Sequence, residues 1–162
     1  MDKWGLEYGR LLNSFNERDK ELKEFLIREQ TVARFEKDEK LADRNYLDYC
    51  RGVQEAAGKA IRELDGLSPT PAKAQHLSDL TRKLFRRRLT SARFCAESVM
   101  KGDTEGRVRL GRTEPKEIAD LQREIALEGR RLAPAEEVRA ADEKFAREQA
   151  ASGNRAAKGG FE

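Results

Sequence analysis

A chain of 162 residues fits one domain or one helical bundle. Charged residues make up 39% of it and the hydrophobic class 38%, while Leu, Ile, Val and Phe together reach only about a fifth, near the composition at which chains stop folding. The balance of 33 basic against 30 acidic residues, +3 overall, excludes a strongly charged disordered chain and indicates a folded, core-poor protein of long helices with narrow apolar stripes. Such a protein often completes its core against a partner.

No run approaches the roughly 18 apolar residues of a membrane span. The N-terminus, Met1 to Glu7, carries no apolar signal core, and Asp2 and Glu7 argue against a transit peptide. Cys50 and Cys95 are too few for a disulfide scaffold; both fall on helical stripes and read as buried thiols of a reducing, intracellular compartment.

In chain order, the first segment has the strongest pattern. Alternating steps of four and three from Trp4 pass through Tyr8, Leu11, Phe15, Leu22, Phe25, Val32, Tyr46, Cys50, Val53, Ala57, Ala60, Leu64 and Leu67. This is a heptad seam, the mark of helices packed nearly parallel or antiparallel, and it also suits a homo-oligomer. The frame places Arg18 at an apolar position and turns acidic at Glu36, Glu39 and Asp43. Either the chain turns there into a hairpin, with Asp38 as a cap, or one rod runs from 3 to 66, since no Gly or Pro marks the turn. The hairpin is the favoured expectation, because short-looped bundles are common.

Pro69 and Pro71 make the next break, with a third helix opening at Pro71, capped by Thr70, and stopping at Gly102. Its stripe is Leu77, Leu80, Leu84, Phe85, Leu89, Ala92, Cys95, Ala96 and Val99, and Arg88 falls inside it. The glycine-flanked stretch through Gly106 and Gly111 reads as a basic loop. A last helical region starts near Pro115, shows Ile118, Leu121, Ile125 and Leu132, and continues past a kink at Pro134 with Val138, Ala141 and Phe145. The expected fold is all-α: an antiparallel four-helix bundle or coiled-coil-like hairpins. Its helices cover about 3–35, 38–66, 71–101, 115–132 and 134–150, a single domain over 1–151, with a basic loop at 102–114 and a flexible tail at 152–162.

Little in the chain points to catalysis. His76 is the one histidine, no Glu-x-x-His repeat suggests a bundle metal site, and no phosphate-loop or haem-attachment pattern occurs. No catalytic, cofactor or metal residue is therefore assigned. The informative feature is charge distribution. Residues 68–113 hold 11 basic and 4 acidic residues, net +7, between flanks of −2 each. Arg82, Arg86, Arg87, Arg93, Arg107, Arg109 and Arg112 are the candidate surface for an anionic partner. Arg18 and Arg88, as charges at apolar positions, are expected to be paired with a carboxylate or to lie at an interface, with Glu36, Glu39 and Asp43 as candidate acids.

Leu84-Phe85-Arg86, followed by Phe94, resembles the Leu-Tyr-Arg motif of the LYR family of small helical mitochondrial adaptor proteins. Phe stands in place of Tyr, and the motif lies mid-chain. The chain is expected to be a non-enzymatic helical scaffold or adaptor, a subunit of a larger assembly that contacts an anionic protein partner through 82–112. The alternatives are a protein binding the RNA or DNA backbone and, behind it, an enzyme with a site between helices.

Overall fold

The computed structural model describes the backbone of residues 2–158; the side chains of residues 107, 108, 110–112 and 154–158 are outside that description. Five helices follow one another: α1 (Lys3–Glu36), α2 (Glu39–Gly66), α3 (Gln75–Lys101), α4 (Thr104–Leu132) and α5 (Ala135–Lys158), with a short 3-10 turn at Ala72–Ala74 before α3. No strand occurs among the described residues. Three helices start by one device, an aspartate whose carboxylate accepts an otherwise orphaned N–H of the first turn. Asp2 takes Gly5 N, Asp38 takes Leu41 N, and Asp103 takes Gly106 N, at 2.8, 3.0 and 2.9 Å.

The chain turns at Lys37 and Asp38, so α1 and α2 form the antiparallel hairpin rather than the rod. Lys37 adopts the left-handed conformation (φ 55°) usually given to glycine, and its N–H bonds back to Ala33 and Arg34. Two side chains fasten the tip: Gln30 Nε2 donates to Ala42 O (2.9 Å) and the buried Asn45 Nδ2 to Glu29 O (3.0 Å). The acidic interruption of the seam is thus the hairpin turn, where Glu36, Glu39 and Asp43 are exposed.

Trp4, Tyr8, Leu11, Phe15 and Leu22 of α1 are buried, as are Cys50, Val53, Ala57, Ala60 and Leu64 of α2, so these seam residues are consumed by packing within the chain. Further along α1 the strict heptad fails: Val32 is exposed and Ala33 is buried in its place. A straight helix drifts by about 20° per heptad against a 3.5-residue repeat, and four heptads from Trp4 carry the inward face on by nearly one residue. The seam also omits Arg18, and the neighbouring Asp19 is the residue turned inward. Leu22 fits against Gly52 so closely that a Cβ there would stand 2.5 Å from Leu22 Cδ2. We expect Leu22→Ala to lower unfolding free energy by about 2–5 kcal/mol in urea denaturation; a loss under about 0.5 kcal/mol would mean the site is loosely filled.

Helix α3 lies on α2 and α1, and α4 lies on α3. Phe85 packs its ring 4.6 Å from that of Phe15. Tyr8 O–H bonds Thr81 Oγ1 (2.7 Å), whose own proton goes to Leu77 O (2.8 Å), so the buried hydroxyls are satisfied in a chain. Ile125 of α4 is buried in the same cluster, with Ile118, Leu121 and Leu132 packed at its edge.

Several expectations are corrected. Pro71 does not begin α3 and Thr70 does not cap it: Pro71 has an extended ψ of 139°, the 3-10 turn follows, and α3 starts at Gln75 without a side-chain cap. Residues 104–114 are helix, not loop; Asp103 caps α4, and Pro115 sits inside it, where one ladder N–H is missing. Gly106 serves close approach there, since a Cβ would meet Asp103 Oδ2 at 2.3 Å and Phe94 Cζ at 3.1 Å. The stripe Val138, Ala141, Phe145 is not a core face: of the described side chains of α5 only Val138 is half-buried, and Phe145 is 62% exposed. Of the stretch expected as a tail, 152–158 belongs to α5 and residues 159–162 lie outside the described residues.

Candidate functional site

The cationic segment divides into two kinds of arginine. Arg82 reaches Asp65 (2.9 Å) and Asp79 (3.2 Å), and Arg87 reaches Glu117 (2.6 Å), so both ends of these contacts belong to this chain. Arg86 and Arg93 are exposed and make no ion pair with a described residue, and the same holds for Lys83. Arg109 is exposed on α4, while the side chains of Arg107 and Arg112 lie outside the described residues. At 100° per residue, Arg86, Arg93 and Met100 line up along the outer face of α3, with Thr90 and Glu97 beside them, all exposed. Met100 is 64% exposed and the adjacent Phe94 40%.

The charges at apolar positions also part company. The side chain of Arg18 is 53% exposed and pairs with Glu21 one turn on (3.3 Å), because the drift of α1 carries it out of the interface. Arg88 is 11% exposed and is clamped between Asp19 of α1 and Glu114 of α4 (3.9 Å to the latter). Its partners are therefore not the acids of the hairpin turn. Burial by itself weakens the basicity of Arg88; Asp19, Tyr49 and Glu114 outweigh that effect and hold its pKa above the ordinary value.

Arg88 forms one wall of a cleft of about 370 Å3 between the helices. Tyr46, Cys50, Ser91, Cys95, Glu114 and Pro115 line it as well. Here the two cysteines, 45 positions apart in sequence, share one buried cluster with Ala96. Tyr46 O–H points to Cys95 Sγ (3.6 Å). The neighbouring Cys95 thiol, then burial, drives the Cys50 pKa far upward. Burial, then the bond to Cys95, does the same for Tyr46, and burial raises Tyr8 against the opposing bond from Thr81. All three groups are held neutral more firmly in the folded chain than in the unfolded one. Their stabilisation is complete below the unfolded-state values, about 8.5 for a thiol and 10 for a phenol, and is lost as pH rises through the higher folded values. The Tm followed by circular dichroism should fall progressively above about pH 9, and Cys50→Ala with Tyr46→Phe should shallow that fall.

Sequence reasoning placed Arg88 but missed Asp19, Glu114 and the meeting of Cys50 with Cys95; the one available signal was that both cysteines lie on apolar stripes. His76 is exposed on α3. Among the described residues no group of three or more His, Cys, Asp or Glu is placed to hold a metal ion, and no helix is long and apolar enough to cross a membrane. Phe85 of the Leu-Phe-Arg motif is 0% exposed and belongs to the core. No protein family, curated protein or solved structure significantly matches the chain.

Proposed function

We propose that this chain is a non-enzymatic helical adaptor that docks an acidic, partly apolar surface of a protein partner on the outer face of α3. The observation that carries the reading is the alignment of Arg86 and Arg93, exposed and in no ion pair with a described residue, with the exposed Met100 and the neighbouring Phe94. Arginine, methionine and aromatic residues are the types enriched at protein interfaces, where an apolar anchor supplies affinity and unpaired cations steer and orient an anionic partner. Two of the remaining cations, Arg82 and Arg87, act within the fold and leave the partner-binding set.

The test reverses the two free charges. Arg86→Glu with Arg93→Glu should weaken the native partner, isolated from extract on the immobilised chain and identified by mass spectrometry, by roughly tenfold or more at low salt. Helicity should stay unchanged, and Arg82→Gln should leave affinity alone. Equal affinity in the double variant would reduce the face to solvated surface and end the proposal. Saturable binding of duplex RNA or DNA by the wild type, falling steeply with salt, would move the reading to a phosphate backbone.

A further inference from the structure

Cys50 and Cys95 are the only cysteines of the chain, and no disulfide joins them. They arise from different helices, α2 and α3, yet lie in one small buried cluster. Both are buried, Cys50 at 1% and Cys95 at 8% exposure, yet both line a cleft of about 370 Å3, ample for a small oxidant. Cys95 is the more exposed of the two, and it has a hydroxyl donor, Tyr46, directed at its sulfur at 3.6 Å. A donor at that position stabilises negative charge developing on sulfur.

We propose that Cys50 and Cys95 form an oxidisable dithiol, which peroxide converts to a disulfide fastening α2 to α3. The Cys95 thiolate attacks one oxygen of hydrogen peroxide; the O–O bond breaks, the departing hydroxide takes up a proton as water, and a sulfenic acid remains on Cys95. The Cys50 sulfur then attacks the Cys95 sulfur. The S–S bond forms as the S–O bond breaks, and the Cys50 proton leaves with the hydroxyl as a second water. Two thiols and one peroxide thus give one disulfide and two waters. Cys50, in the same buried cluster and cleft wall as Cys95, is the resolving thiol; its firm hold on its proton makes this second step the slow one. The bond would close a loop from α2 to the C-terminal third of α3 and lock the hairpin onto the third helix. This inference stands on the cleft and is independent of the outer face of α3.

The experiment treats the reduced, full-length chain with hydrogen peroxide and reads intact mass, free thiols by alkylation, and Tm. The expected product is a monomer lighter by two hydrogen atoms, with neither thiol alkylatable, restored by dithiothreitol. Its Tm should be higher than that of the reduced chain by about 10 °C. Cys50→Ala should instead retain added oxygen on Cys95, and Cys95→Ala should leave Cys50 unoxidised at the same dose. Accumulation of sulfinic acid on Cys95 with Cys50 still free in the wild type, a disulfide-linked dimer, or no reaction would each overturn the proposal.

Discussion

Arg88→Met should cost about 3–5 kcal/mol of unfolding free energy, because it removes the cation shared by two largely covered acids, leaving Glu114 without that partner and Asp19 with Lys23 (2.8 Å). Arg88 is the point at which α1, α3 and α4 are joined by charge, and its two acids are themselves largely covered. Against the 5–15 kcal/mol that holds most domains together, a loss of this size removes a third or more of the total. Its origin is uncompensated charge rather than lost volume, which gives the prediction its check. Adding Asp19→Asn and Glu114→Gln to Arg88→Met should recover most of the loss in urea denaturation, although it removes yet more of the native network. A single variant costing less than about 1 kcal/mol would mean that water reaches the guanidinium and that the clamp is an exposed ion pair in disguise.

Phe85→Ala should cost about 3–5 kcal/mol, through lost transfer energy and a cavity between α1 and α3. Phe85 is fully enclosed and meets Phe15 ring to ring, with Leu84, Leu80 and Leu11 in the same cluster. The neighbouring Arg86→Ala should leave stability within about 0.5 kcal/mol of wild type, since that side chain is exposed and unpaired among the described residues. The contrast across one peptide bond separates the two uses of α3: an inward face that holds the fold and an outer face proposed to hold a partner. A mild Phe85→Ala with a costly Arg86→Ala would invert that assignment.

Much of this architecture could be read from the apolar periodicity. Trp4 to Leu22 and Cys50 to Leu64 follow the seam, and Gly66, Gly102 and Pro134 stand near the helix ends that their conformational preferences suggest. Three features resisted for physical reasons. A heptad frame is a 3.5-residue approximation to a 3.6-residue helix; it pointed to Arg18 and Val32 where the drift presents Asp19 and Ala33. Gly106 and Gly111 looked like loop punctuation because a glycine required by close packing, as Gly106 is by Phe94 and Asp103, cannot be told in sequence from one required by a turn. The cleft was invisible because its groups come from four helices, and nothing local in Cys50, Cys95 or Glu114 announces the others. For the cationic segment, composition located the charges but not their partners: Asp65, Asp79 and Glu117 lie on neighbouring turns or other helices and cancel part of the field that the +7 segment suggested.

Helix α5 touches the rest of the chain at little more than Val138 and the Arg130–Asp142 ion pair (2.5 Å). Most helical stability in proteins comes from tertiary packing of an apolar face, and α5, 24 residues long, rests instead on neighbouring-turn pairs such as Lys144–Glu148. Its amides are therefore protected from hydrogen exchange only as well as those of a peptide, while those of α2 and α3 carry the protection of global unfolding. The cooperative unit is therefore expected to end near Leu132, with α5 melting on its own schedule, and a surface that grips α5 would gain a helix whose ordering the rest of the fold has not already secured.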